Sequence, residues 1–340
     1  MYVQRVFPPM ILVSFYWKQI LVFAGYSSIV VTLYEFFEWE WLMIPWVPLT
    51  LIGIAVAFYL GFKNNSAYDR TWEARKIWGG IVNSSRSWGS MVNGFVTKEF
   101  SEETISEEEL NEIRKRLIYR HIAWLYRLKR QLRVRKSWEH DKAVNIKYRE
   151  VIAEMFPTED PETELKNFLS DEEVQRMLSM KNTCTQLLEE QSKELKELKM
   201  RGLIDDFRHM ELQKMITEFY TLQGKCERIK NFPLPRQYAS ISIYLVYVFI
   251  FMLPLGLLSA FHDADLDPAM IWGVVPFTVL TGYIFWLMES VGDYAENPFE
   301  GLAFDIPMTS LVRTIEIDLR EMLGEKDLPP AIGPKNNFVV

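Results

Sequence analysis

Four histidines and two cysteines are the side chains of this 340-residue chain best suited to hold a metal or to act as nucleophiles, and their spacing supports neither role. His121, His140, His209 and His262 stand alone in the sequence. No His-Glu-x-x-His pattern brings two imidazoles onto one helix face, and no cysteine pair has ligand spacing. Each histidine therefore reads as a surface or packing residue, and no metal or other cofactor is expected. Cys184 and Cys226 lie in charged helical sequence, which implies a reducing compartment and no disulfide framework. A Walker loop and a Gly-x-Gly-x-x-Gly fingerprint are both missing. Adjacent acids such as Asp205-Asp206 read as a solvated helix face rather than an acid–base pair. No catalytic residue is assigned, and an enzyme is the weaker reading.

The information concentrates between Leu51 and Gly79. On a helix, Ile54, Phe58 and Phe62 lie nearly one above another, drifting about 40° per step, so all three can line one stripe. On periodicity alone, a stripe that faces lipid or packs on a neighbour is the simpler reading, with a pore lining as the alternative. Directly after Phe62 the chain turns polar, with Gly61 the one turn residue and with Asn64, Tyr68, Asp69, Arg70, Trp72, Glu73 and Arg75 in close succession. A helix that leaves a membrane carrying Asp69, Arg70, Glu73 and Arg75 must satisfy those charges against each other or against neighbours at the boundary.

The elements that position these residues follow from charge patterning. Taken as an average, 49% hydrophobic and 24% charged residues with a mean hydropathy of −0.04 describe a soluble protein. The average conceals four uncharged windows near the chain ends, beginning after Lys18, Glu40, Arg236 and Asp267. The first holds sixteen uncharged residues and reaches membrane length only through Trp17, Phe36 and Phe37; the others meet the requirement of about 20 apolar residues. They pair as two hairpins. The loop of the first carries Glu35, Glu38 and Glu40, and that of the second His262, Asp263, Asp265 and Asp267, with no Lys or Arg in either. Lys18, Lys63, Arg70, Arg75, Lys76, Arg228, Lys230 and Arg236 flank the opposite ends, which puts both termini and the middle in the cytoplasm. No cleavable secretory signal is recognised, so the first span is expected to be retained.

From Lys63 to Arg236 the chain holds 32 of its 38 Lys and Arg and 29 of its 45 Asp and Glu, a net of +3 against −10 elsewhere. The overall charge of −7 gives no reason to expect nucleic acid as a partner. Ser106 with Glu109 forms a capping box that opens a helix through Arg135, and Ser170 with Glu173 opens another through Met200. Gly202 stops the second, and a third runs from about Ile204 to Arg228. The expected organisation is an N-terminal segment with the first hairpin (1–62), a cytosolic helical region (63–236), the second hairpin (237–289) and a cytosolic C-terminal segment (290–340). The fold class is thus an all-α membrane protein with four transmembrane helices in two hairpins and a large cytosolic helical region.

The chain resembles the bestrophins, in particular their bacterial branch. The resemblance is carried by Gly61-Phe62, Asn64, Ser66, Tyr68, Asp69-Arg70, Trp72-Glu73-Ala74-Arg75, Trp78-Gly79 and Ser85-Arg86, supported by Pro233-Leu-Pro-Arg236, Leu253-Pro-Leu-Gly256, Glu296-Asn-Pro-Phe299 and Arg313-Thr-Ile-Glu316. It implies a bestrophin-like homopentamer in membrane lipid, in the bacterial inner membrane, that conducts permeant monovalent ions. It also implies a narrow neck lined by hydrophobic rings, whose matching positions are Ile54, Phe58 and Phe62. A second, cytosolic aperture falls at Met210, with Ile204 as the other candidate. Animal members hold calcium where Asn-Pro-Phe leads into an acidic run. Here Glu300-Gly-Leu-Ala-Phe-Asp305 follows, and a hard cation needing about six to eight oxygens loses most of them, so opening is expected to be independent of calcium and of other ligands. The phenyl rings favour small anions such as chloride, whereas the acidic outer loops favour monovalent cations, leaving a cation channel of the same fold as the alternative. A membrane-anchored scaffold or signalling protein is the alternative from a different class.

Overall fold

The computed structural model of the chain describes residues 1–6, 8–264 and 267–340. Among these residues the regular elements are helical: α1 (Pro9–Phe37), α2 (Trp46–Phe95), α3 (Glu107–Arg133), α4 (Ala143–Met155), α5 (Pro161–Lys166), α6 (Asp171–Leu178), α7 (Thr183–Met200), α8 (Asp206–Asn231), α9 (Arg236–Asp263), α10 (Val274–Ala295) and α11 (Met308–Met322). Four helical stretches are long and apolar enough to cross a membrane, within Tyr16–Phe37, Glu40–Phe95, Asp206–Asp263 and Ala269–Ala295. They are the four windows read from the sequence.

Two compact units divide the chain. One comprises Gln4–Arg70 and Pro233–Glu296, and the other Met1–Val3, Thr71–Phe232 and Asn297–Val340. In the first, α10 packs against both α1 and α9. Its core joins Phe23, Val31, Leu49, Val56, Leu60, Val246, Leu253 and Leu258, with large apolar side chains on the outward faces of the same helices. Exposed apolar surface on this scale has no place in water but is what a lipid solvent accepts. Small residues bring the helices together: a methyl on Gly256 would run into Leu49, as expected where packing rather than hydrophobic exclusion joins membrane helices. Pro254 within α9 cannot donate to the carbonyl one turn back. Next to the Ile250 carbonyl that the proline leaves without its helix donor, Tyr26 Oη donates to the Phe251 carbonyl at 2.7 Å and ties α1 to this turn.

The second unit is a helical body whose core runs from Ala74, Trp78 and Trp88 through Trp124 and Phe219 to Leu319. Ser106 caps α3 by accepting from Glu109 N–H at 3.1 Å, as the capping box predicts, though the helix closes at Arg133 rather than Arg135. The expected single helix from Ser170 to Met200 is two helices. Ser170 caps α6, which ends at Leu178; Ser179 Oγ then donates back to the Arg176 carbonyl at 2.7 Å, and Asn182 caps a new start by accepting from Thr185 N–H at 3.1 Å. Short polar side chains here offer the backbone partners outside the helix, and that local competition breaks a pattern whose apolar spacing is otherwise continuous. Along this segment Val174, Met177, Cys184, Leu187 and Leu188 are buried and Leu178 is half-buried. Gly202 ends α7 at φ +69°, with Leu203 N–H bonded to the Leu198 carbonyl at 2.9 Å and Gly202 N–H to that of Lys199 at 3.0 Å. This pair of bonds is a Schellman closure, which needs the left-handed residue that glycine supplies. Asp205 is not a solvated face residue but the cap of α8, accepting from Arg208 N–H at 2.8 Å, so that helix starts at Asp206 rather than Ile204.

Candidate pore lining and its supporting charges

Ile54, Phe58 and Phe62 fall on one face of α2, spanning about 12 Å along the axis at 1.5 Å per residue. They are 62%, 69% and 53% exposed in the single chain, while Val56, Leu60 and Lys63 on the opposite face are 2% or less exposed. The rings of Phe58 and Phe62 meet edge to face, with centroids 4.7 Å apart. Leu51 extends the exposed apolar face in one direction. In the other the same face becomes polar without interruption, through exposed Asn65, Ser66 and Asp69. Other helices of the unit also expose apolar residues, among them Leu21 and Ile29 of α1 and Phe277 and Ile284 of α10. On α2 the apolar stripe and the polar continuation share one helix face.

Beneath the stripe lies a feature missed in the sequence. Lys63, 1% exposed, forms an ion pair with Glu289 of α10, and Ser242 of α9 donates to the second oxygen of that carboxylate at 2.9 Å. Asn64 donates to the Met288 carbonyl at 2.9 Å, and a methyl on Gly292 would run into its amide oxygen, so the glycine is what lets α10 approach α2 here. In the sequence Lys63 and Glu289 serve only as the ends of uncharged windows. Their meeting is legible only once the two hairpins are packed. Arg236 and the buried Glu296, also at the ends of membrane helices, pair at 3.1 Å.

Tyr68, Asp69, Trp72 and Arg75 are exposed and Arg70 is half-buried. In the helical body, Glu73 pairs with Lys76 at 3.2 Å and lies 3.8 Å from Arg228. Met210, near the start of α8, is 57% exposed. Ile204 is 1% exposed and part of the core, so it cannot line an aperture. Of the acidic loop residues, Glu35, Glu38, Glu40, Asp263 and Asp267 are exposed, while Asp265 lies outside the described residues.

Three of the histidines have partners within the fold. His121 is buried against Trp124 and Phe219, its Nε2 2.9 Å from Ser85 Oγ, and burial pushes its pKa down to about 3, leaving a neutral ring. His262 contacts Tyr34 Oη at 2.9 Å. His140 pairs with Glu300 at 2.9 Å, and Arg149 reaches the same carboxylate oxygen at 3.1 Å. Asp305 accepts from Gly301 N–H at 2.5 Å and has Arg133 at 3.4 Å; burial nonetheless pushes its carboxyl up to about 6. The acids that follow Asn297-Pro298-Phe299 are thus engaged by cationic side chains of the same body. Among the described residues no group of three or more His, Cys, Asp and Glu side chains could hold a metal ion, and both cysteines are free and buried.

A helical membrane protein with two packed hairpins and a large polar helical body is the class that these features define. The family profile described as "Bacterial/Fungal Bestrophin protein" matches residues 10–321, and the chain belongs to that family. It is 26% identical over 320 residues to the voltage-dependent anion channel-forming protein mll4386 of Mesorhizobium japonicum, an alignment covering 94% of this chain and 88% of that protein. To the voltage-dependent anion channel-forming protein YneE of Escherichia coli K12 it is 27% identical over 308 residues, covering 87% and 86%. The crystal structure of a bacterial bestrophin homologue from Klebsiella pneumoniae superposes with a TM-score of 0.73 at 24% identity, covering 91% of this chain and 98% of that one.

Proposed function

We propose that the protein is a homopentameric channel of the bacterial inner membrane, with both termini cytoplasmic, that passes small monovalent anions such as chloride. The observation that carries this reading is the exposed α2 stripe of Ile54, Phe58 and Phe62, which changes along one face from apolar to polar. The names of the Mesorhizobium and Escherichia relatives support anions as the permeant class. Five copies of α2 around a common axis would stack three apolar rings, a constriction from which water withdraws readily, so that small changes in radius gate permeation. Phenyl edges carry partial positive charge and offer a dehydrating anion a weakly favourable contact. Met210 is the side chain proposed for the cytosolic aperture.

Lys63 and Glu289 serve this arrangement from behind. By tying α2 to α10 they fix the rotation of α2 about its own axis, and so the direction in which the stripe points. Opening is proposed to require no bound ligand.

The test is the reversal potential of the purified protein in liposomes under a potassium chloride gradient. A potential near that of chloride supports the proposal, and one near that of potassium replaces it with the second reading, a monovalent-cation channel. The exposed acids of the loops, Glu35, Glu38, Glu40, Asp263 and Asp267, favour that second reading by concentrating cations. No flux of either ion leaves a membrane-anchored scaffold.

A further inference from the structure

The helical body contains a cavity of about 220 Å³ that the channel reading does not use. Three of its cations, Lys129, Arg130 and Arg133, come from the last turns of α3, and a fourth, Arg149, comes from α4. One acid, Glu300, shares the lining with them. Adding the carboxylates that pair with these groups from outside the lining leaves an excess of positive charge. Glu164 takes both Lys129 and Arg130 at 3.1 Å, Asp305 takes Arg133 and Glu300 takes Arg149, so four cations share three carboxylates.

Arg133 spends little of its capacity. Its contacts to Asp305 and to the Ile306 carbonyl are long, at 3.4 and 3.5 Å, for a planar group that carries five N–H donors. Gly301, at φ +90°, leaves room beside it: a methyl there would sit 3.1 Å from Arg133 Nη1. The other wall is apolar, formed by the buried side chains of Ile152 and Phe156.

We propose that this cavity is a binding site for a small organic carboxylate, its carboxylate held by the guanidinium groups of Arg133 and Arg149 and its apolar body against Ile152 and Phe156. Guanidinium planes match a carboxylate in a two-bonded fork, which a point charge does not, and a mainly apolar pocket with a few convergent polar groups is the usual form of a small-molecule site. The apolar wall is what separates this ligand class from inorganic anions, which have no apolar body to set against Ile152 and Phe156.

Benzoate is the probe, titrated calorimetrically into the full-length protein in lipid nanodiscs. The expected result is saturable binding that hexanoate competes away and inorganic phosphate does not. Arg133→Gln should weaken it roughly tenfold or more, the loss expected for a charge-assisted hydrogen bond. Because that change also strips Asp305 of its partner, Ala153→Trp is the second variant: Ala153 is exposed on α4 and lines the cavity, so an indole there fills the space and should abolish binding while the fold is kept. No heat of binding up to about 10 mM benzoate would overturn the proposal. So would phosphate competing as well as hexanoate, or unchanged affinity in Ala153→Trp. Ion flux plays no part in the readout, so the result is independent of the channel's selectivity.

Discussion

Replacing Lys63 by Met removes a charge while keeping most of the apolar stem, and leaves Glu289 with Ser242 as its one remaining hydrogen-bond donor of the pair described above. The two side chains are 1% and 6% exposed, so neither gains water when its partner is lost. An ion stranded in this way costs about 3–5 kcal/mol. Glu289→Leu strands the ammonium group instead and should cost a similar amount. The double variant buries two apolar side chains in place of two ions and removes both desolvation penalties. Ser242 then keeps the Ala239 carbonyl as an acceptor, at 3.1 Å. The double variant should therefore lie within about 2 kcal/mol of the parent, giving a coupling of several kcal/mol across the cycle. Unfolding in mixed detergent micelles, followed by tryptophan fluorescence, measures all four corners. A coupling below about 1 kcal/mol, the size found for ordinary polar contacts between membrane helices, would mean that water reaches the pair and that it does not hold α2 in register with α10. A flux measurement adds a second criterion: if the pair sets the direction of the stripe, the double variant should be folded yet altered in conductance.

Phe58→Ala and Phe62→Ala should each raise conductance or weaken gating by widening the neck; unchanged currents from both would place the constriction elsewhere. Channel opening should not respond to micromolar calcium, since the acids after Phe299 are held by Arg149, His140 and Arg133, and single-channel recording with and without chelator checks this. His121 has a folded pKa below its unfolded value of about 6.5, so its contribution is intact above that pH and is lost on acidification, by about 2 kcal/mol between pH 7 and pH 5. The raised pKa of Asp305 acts oppositely over its own window, between about 4 and 6, so the stability difference between parent and His121→Gln, compared at the two pH values, isolates the histidine. An unchanged difference would refute the neutral, buried ring. Gly202→Ala should cost about 2 kcal/mol or more, because φ is +69° and the new methyl would lie 2.5 Å from the Phe100 carbonyl oxygen; a melting temperature equal to the parent's would contradict that.

What the sequence made legible follows the range of the forces involved. The membrane helices announce themselves because their solvent forbids charge along a whole segment, and the caps at Ser106 and Ser170 because both partners lie within four residues. The break at Ser179–Asn182 was hidden because apolar periodicity reports the face a segment buries and is silent on whether its backbone continues. Ile204, the second candidate for the aperture after Met210, rests on a family resemblance that carries no information on burial, and it is buried. Lys63 and Glu289 show the deeper reason. A window scan treats every charge as the place where the membrane helix stops. Two opposite charges on different hairpins, 226 positions apart, can instead close on each other and become part of the interior. Their pairing depends on a third helix for Ser242 and on a glycine at 292 that lets the backbones approach, so four separated positions must coincide before the feature exists. The stripe on α2 poses the complementary problem. Its periodicity is visible in one chain, but the surface that it would face in a pore is made by other copies, and only the response of the current to Phe58 and Phe62 distinguishes a pore lining from a face turned to lipid.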